Sequence, residues 1–179
     1  MKEDKKLLGE NRRNRLLELL KGAQAPITGS ELARQANVSR QIIVGDITLL
    51  KARNEPIIAT SQGYLYLHSP VSPALQERTI ACRHTPCQAK EELYLLVDLG
   101  VTVRDVKVEH PVYGDLTASI MVSNRNEVDQ FLEKIRQTQA AYLSELTEGI
   151  HLHTISASNE NTLNQAEQVL KKSGFLIEY

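Results

Sequence analysis

The chain has 179 residues, 41% of them hydrophobic and 24% charged, a composition ordinary for a folded globular protein and long enough for one large domain or two small ones. No apolar run approaches the roughly 18 residues of a membrane span, the opening MKEDKKLLGENRRNR lacks the apolar segment of a secretory signal, and two close-set cysteines, Cys82 and Cys87, make no disulfide framework, so a reducing cytoplasm and no membrane association are expected. The net charge of −1 hides a division: residues 1–68 carry 11 Lys and Arg against 7 Asp and Glu, the remainder 10 against 15, which suits only the first third to an anionic partner.

In chain order, the first third predicts three helices and a hairpin. The first helix runs from about Asn11 to Leu20, with Leu16, Leu17, Leu19 and Leu20 among basic residues, and Pro26 and Gly29 end it. A second, short helix starts at Ser30, whose hydroxyl can cap it, and carries Leu32, Ala33 and Ala36. After the turn at Asn37-Val38, Ser39 caps a third helix to about Arg53, with Ile43, Ile47 and Leu50 on one face. Ile57–Thr60 and Tyr64–Leu67 then flank Ser61-Gln62-Gly63 as two strands and a turn.

Two short helices across a tight turn form a helix-turn-helix, and the hairpin makes it a winged one, a DNA-binding arrangement. On the face opposite Ile43, Ile47 and Leu50 lie Gln41, Gly45, Thr48 and Ala52. Arg40 and Gln41 stand at the N-terminal end, where an Arg pairs bidentately with guanine and a Gln with adenine. Ser39 and Thr48 are candidate phosphate donors, and Gln62 lies at the wing tip. Gly45 weakens the helix by about 1 kcal/mol relative to Ala, either to admit close approach of DNA or as a tolerated cost. The competing reading is a helical hairpin used only for packing.

His68-Ser-Pro-Val-Ser-Pro73 reads as a break between domains, giving a DNA-binding domain at 1–68, a linker at 69–73 and a second domain at 74–179. The second domain interleaves strands at about 79–83, 101–109, 116–122 and 149–156 with helices at about 86–99, 126–139 and 160–172, and Phe175–Ile177 as a possible edge strand. That order predicts a mixed α/β (α+β) sandwich with helices on one face of a mostly antiparallel sheet.

Four of the five histidines, His84, His110, His151 and His153, follow the linker. His151 and His153 stand at i and i+2 of a predicted strand and so project from one face as a ready pair of metal ligands. Glu92 lies about two turns into the helix that His84 precedes, so one strand-to-helix corner could present both. Three imidazoles and a carboxylate suit Zn, Ni or a similar ion rather than Ca or Mg. Against this, strand histidines also serve as packed, backbone-bonded side chains. His110, in Glu-His-Pro-Val-Tyr-Gly, occupies a turn. Cys82 shares a strand face with His84 and could be a ligand instead, although a free cysteine is usually a small buried hydrophobe.

Residues 11–67, centred on LARQANVSRQIIVGDITLLKAR, resemble the winged-helix domain at the front of biotin repressors and related bacterial regulators. The catalytic domain and adenylate-binding loop of the biotin ligases have no counterpart in the remaining residues. ACRHTPCQAKEELYLLVDLG, VKVEHPVYGDL, GIHLHTISA and LKKSGFLIEY resemble the three-histidine regulatory domain that follows such a winged helix in the niacin-responsive repressor family. The resemblance implies a dimeric repressor of NAD-biosynthesis and niacin-uptake genes that binds double-stranded operator DNA with nicotinic acid as co-repressor. It also implies one divalent transition metal per chain, Ni or Zn, held by His84, Glu92, His151 and His153, with Glu91 the adjacent alternative carboxylate. Residues expected near the effector are His110 and Tyr113, with Arg83 or Arg104 as a neighbouring cation.

Two rival readings use the same residues. One is a metal-responsive regulator with no organic effector. The other is a metal hydrolase with a DNA-binding arm, with Glu109, Asp115 or Glu148 as base; neither an HExxH helix nor a nucleophile motif is present, so no enzyme is expected.

Overall fold

A computed structural model describes residues 9–68 and 75–178. Its contacts divide the chain into two units, Met1–Val71 and Ser72–Tyr179. The linker expected at 69–73 lies outside the described residues.

In the first unit, α1 (Gly9–Gly22), α2 (Gly29–Ala36) and α3 (Arg40–Ala52) precede an antiparallel hairpin of β1 (Ile57–Thr60) and β2 (Gly63–Tyr66). Leu16 and Leu20 of α1, Leu32 and Ala36 of α2, and Ile43, Ile47 and Leu50 of α3 form one buried cluster with Ile57. The helical spacing read from the sequence thus coincides with the buried faces. The cap of α2 differs from expectation. Thr28 rather than Ser30 accepts the orphan N–H of Glu31, at 3.1 Å, because the helix begins one residue earlier and Ser30 falls inside its first turn. Asn37 closes α2 in the left-handed conformation, its N–H bonded to the carbonyls of Ala33 and Arg34. Ser39 then caps α3 through Ile42 N at 3.4 Å. At Gly63, with φ +144°, a Cβ would run into the backbone carbonyl of Ile27, which pairs with Tyr64 beside the hairpin; only glycine fits there.

The second unit is a four-stranded, wholly antiparallel sheet in the order β3-β6-β4-β5, from β3 (Gln76–Arg83), β4 (Thr102–His110), β5 (Gly114–Val122) and β6 (Ile150–Ala157). The helices α4 (Ala89–Val97), α5 (Arg125–Thr138) and α6 (Glu160–Lys172) pack Leu93, Leu96, Val128, Leu163 and Leu170 against Ile80, Val103, Ile120 and Ile155 of the sheet. Along β6, His151, His153 and Ile155 are buried while Ile150 and Leu152 are exposed, so the helices cover one face. Two short 3-10 segments depart from the expected pattern. Pro86–Gln88 precedes α4, shortening the helix expected over 86–99. Leu143–Thr147 had no periodicity to announce it. Phe175–Ile177 is not a strand but a tail stapled to β3: Arg83 N donates to Phe175 O and Ile177 N to Ala81 O, each at 2.8 Å. No helix is long and apolar enough to cross a membrane.

Candidate metal centre and nucleic-acid interface

On α3, Ser39, Arg40, Gln41, Gly45 and Thr48 are all exposed, and nothing lies within 4 Å of a Cβ built on Gly45. The glycine therefore answers no packing demand within its own unit. Ser39 Oγ accepts the capping bond and keeps its own proton to donate. Thr48 Oγ1 already donates to Val44 O at 2.8 Å, so it must leave that bond to reach a phosphate. Gln62 is half-buried at the hairpin turn, with its backbone N–H donated to Thr60 Oγ1. Val44, 42% exposed beside Gly45, went unread in the sequence; the signal was an apolar residue out of phase with the buried face, apt for a thymine methyl. Behind this surface Asp46, 3% exposed, grips Arg12 of α1, 9% exposed, by two bonds of 2.5 and 3.1 Å. It fixes α3 to α1 by charge as well as by packing.

In the second unit β3, β6 and the start of α4 bring four of the expected residues together. His151 and His153 project from the helix-covered face of β6, His84 follows β3, and Glu92 points back from the first turns of α4. Glu92 Oε2 lies 2.7 Å from His84 Nε2, 3.3 Å from His153 Nε2 and 3.5 Å from His151 Nε2, and the last two nitrogens are 3.2 Å apart. Donors on a tetrahedral ion with bonds of about 2.0–2.1 Å stand about 3.3 Å apart. The separations are already close to those of ligands. Glu91, the alternative carboxylate, is exposed.

Backbone carbonyls set the tautomers. His84 Nδ1 faces Thr85 O at 2.8 Å, His151 Nδ1 faces Gly149 O at 2.9 Å, and His153 Nδ1 faces Asp105 O at 2.7 Å. A carbonyl only accepts, so each Nδ1 carries a proton and each ring turns its Nε2 to the centre, where it bonds Glu92 when protonated and is free to ligate an ion once it loses that proton, the outer-shell pattern of metal-binding histidines. Gly149, at φ +89°, has no room for a Cβ against the His84 carbonyl; its long-range contact was not legible in the sequence. Phe175 of the C-terminal tail packs edge-on to His84, ring centres 5.6 Å apart.

Charge completes the fit. Glu92 is 1% exposed, and its Oε1 has no hydrogen-bond partner among the described residues. Burial alone would protonate this carboxyl, but the imidazoles of His153, His151 and His84 outweigh it and hold its pKa well below the ordinary value. Burial likewise disfavours protonated His84 and His153, and Glu92 reverses both, raising their pKa values. Burial, and then Glu92, push the Cys82 thiol up. A buried carboxylate with an orphaned oxygen, facing three imidazole nitrogens, is a donor set compatible with a metal ion.

A cavity of about 200 Å³ opens against this cluster, walled by Leu93, Val106, Phe131 and Ile135, by Ser144 of the second 3-10 segment and by Tyr142, which precedes that segment. The sequence reading missed these walls, which assemble across distant elements. The residues expected near the effector stand elsewhere. His110 Nδ1 accepts from Val112 N and Tyr113 N in the β4–β5 turn, Tyr113 is exposed beside it, Arg83 is exposed, and Arg104 is paired with Glu77. No Lys or Arg is among the described residues lining the cavity. Glu109, Asp115 and Glu148 are exposed and do not line it.

Comparison with known proteins agrees with both units. Residues 12–65 match a helix-turn-helix domain model and residues 77–179 a 3H domain model. The chain is 58% identical over 178 residues to "Transcription repressor NadR" of Bacillus subtilis, covering 99% of both proteins. It is 38% identical over 173 residues to "Probable transcription repressor NiaR" of Thermotoga maritima, covering 97% of both. A DNA-reading winged helix joined to a 3H domain, over the full span of these relatives, places the chain in the NadR/NiaR family of transcription repressors, as a regulator and not an enzyme.

Proposed function

We propose that the protein is a cytoplasmic, dimeric repressor of genes for NAD biosynthesis and niacin uptake, with nicotinic acid as co-repressor. In this reading one Zn or Ni ion is held by His84, Glu92, His151 and His153. When bound, the ion would supply a positive charge and, by expanding its coordination beyond the four protein donors, would take a carboxylate or pyridine nitrogen. The observation that carries the reading is the small cavity that meets the donor cluster and has no other cation on its described walls. An aromatic carboxylate would rest its ring against Leu93, Phe131 and Ile135, and no Lys or Arg there could neutralise its charge. Binding of the acid should therefore depend wholly on the metal. Arg40 and Gln41 would read base edges in the major groove, with Ser39 donating to phosphate, and a dimer would span half-sites about one helical turn apart.

Calorimetric titration of nicotinate into metal-loaded and metal-stripped protein tests this. Heat only in the loaded protein is expected. No heat in either sinks the nicotinate reading, and operator affinity that follows the metal alone would favour an ion-responsive regulator.

A further inference from the structure

We propose that the Cys82 thiolate is a further ligand of the ion, making the centre a mixed nitrogen, oxygen and sulfur site. The proposal rests on the metal reading above and goes beyond its four-residue donor set. Cys82 Sγ, a Glu92 carboxylate oxygen and a His151 ring nitrogen all lie within 4.8 Å of one another. The placement is built into the sheet. Cys82 is the register partner of His151 across β3 and β6, so the two side chains leave the sheet side by side on the helix-covered face. Cys82 has no exposure to solvent.

The second, independent observation is the carboxylate. Glu92 Oε2 alone serves the three imidazoles, while Oε1 is buried with no hydrogen-bond partner among the described residues. Such an oxygen calls for a donor or a cation. An ion bonded to sulfur at about 2.3 Å and to nitrogen at about 2.0–2.1 Å sets the two about 3.1–3.6 Å apart at ordinary coordination angles, so Cys82 enters the shell by a closing movement of about 1 Å. The balance is simple: the S–H bond breaks, a metal–sulfur bond forms, the proton goes to solvent and nothing is oxidised. A packing role alone would account for a small buried thiol, but not for its place beside the orphaned carboxylate. A thiolate also shifts the site's preference toward Zn, Ni and Co and away from Mg, Ca and Mn.

Cobalt(II) added to the metal-stripped full-length protein reports on the shell directly. The expected result is visible d–d bands together with a near-ultraviolet thiolate-to-cobalt charge-transfer band. Cys82→Ser should lose the charge-transfer band and keep d–d bands, and Cys87→Ser should keep both. Cys82→Ala provides the same readout if the serine variant does not fold. Visible bands without charge transfer in the unaltered protein overturn the role of Cys82 and leave the histidine–carboxylate centre standing, as does a charge-transfer band that survives Cys82→Ser. The absence of any cobalt band overturns the centre and this proposal together.

Discussion

Glu92 turns an arrangement of imidazoles into a site with a pH signature. Its carboxyl is held well below the ordinary 4.5 and His84 and His153 above the ordinary 6.5; burial opposes all three shifts and mutual attraction outweighs it. The depressed carboxyl contributes stability above 4.5 that is lost as pH falls through its folded value. The raised imidazoles contribute stability that is complete below 6.5 and lost as pH rises through their folded values. Metal-stripped protein should thus be most heat-stable between these two ranges. Metal binding needs the imidazoles unprotonated, so the rise in melting temperature on adding Zn should grow as pH climbs past 6.5. Melting curves across that range check both arms, and a Zn-induced shift independent of pH would contradict the charge coupling described for the centre. The strand spacing of His151 and His153 made half of this site legible in the sequence. The choice of Glu92 over Glu91 was not, since it depends on the phase in which α4 leaves the preceding 3-10 turn. Nor was Gly149, whose constraint comes from the His84 carbonyl, distant in sequence.

The helices of the first unit carry three expectations that separate capping, charge and recognition. Thr28→Ala should cost about 1 kcal/mol in denaturant unfolding, and Ser30→Ala, exposed in the first turn of α2, a small fraction of that. Equal losses would reverse the cap assignment. Asp46→Ala removes the carboxylate that takes two bonds from the buried Arg12 guanidinium and should cost about 1.5–3 kcal/mol; a loss below 1 kcal/mol would mean that packing alone sets α3. Arg40→Ala and Gln41→Ala remove exposed side chains of α3, that of Arg40 also lying over Gly29 of α2, and should each weaken operator binding by about 1–3 kcal/mol, with circular dichroism unchanged and, for Gln41→Ala, melting temperature unchanged. Operator affinity equal to that of the unaltered protein in both variants would remove the recognition assignment. Element by element, the sequence was most legible where one period ran long enough. The apolar phase of α3 announced its buried face, and Asp46 lies three residues from Ile43 on that face, so its burial could have been read. Its partner Arg12, 34 residues away, could not. The five-residue segment at 143–147 that walls the cavity is too short to leave a period.

At the scale of the whole chain, the basic first third suits one unit to DNA, and in the function proposed above the other unit takes an ion and a small anion. What joins them is thermodynamic. If nicotinate acts as co-repressor, it must bind the operator-competent state more tightly than the free one, and the same free energy then appears from either side. Operator DNA must therefore raise the affinity for nicotinate by the factor by which nicotinate raises the affinity for operator, a factor of about 5–150 for ordinary coupling. No Lys or Arg lies on the described cavity walls to hold the acid without the metal, so stripping the ion should reduce both factors to one. Two titrations measure this at one salt concentration, because phosphate contacts make operator affinity steeply salt-dependent: operator binding with and without saturating nicotinate, and nicotinate calorimetry with and without saturating operator. Equal factors in loaded protein, vanishing together on chelation, are expected. Tight nicotinate binding with both factors at one would leave an acid-binding site without a regulatory consequence, since a ligand with equal affinity for two states shifts neither.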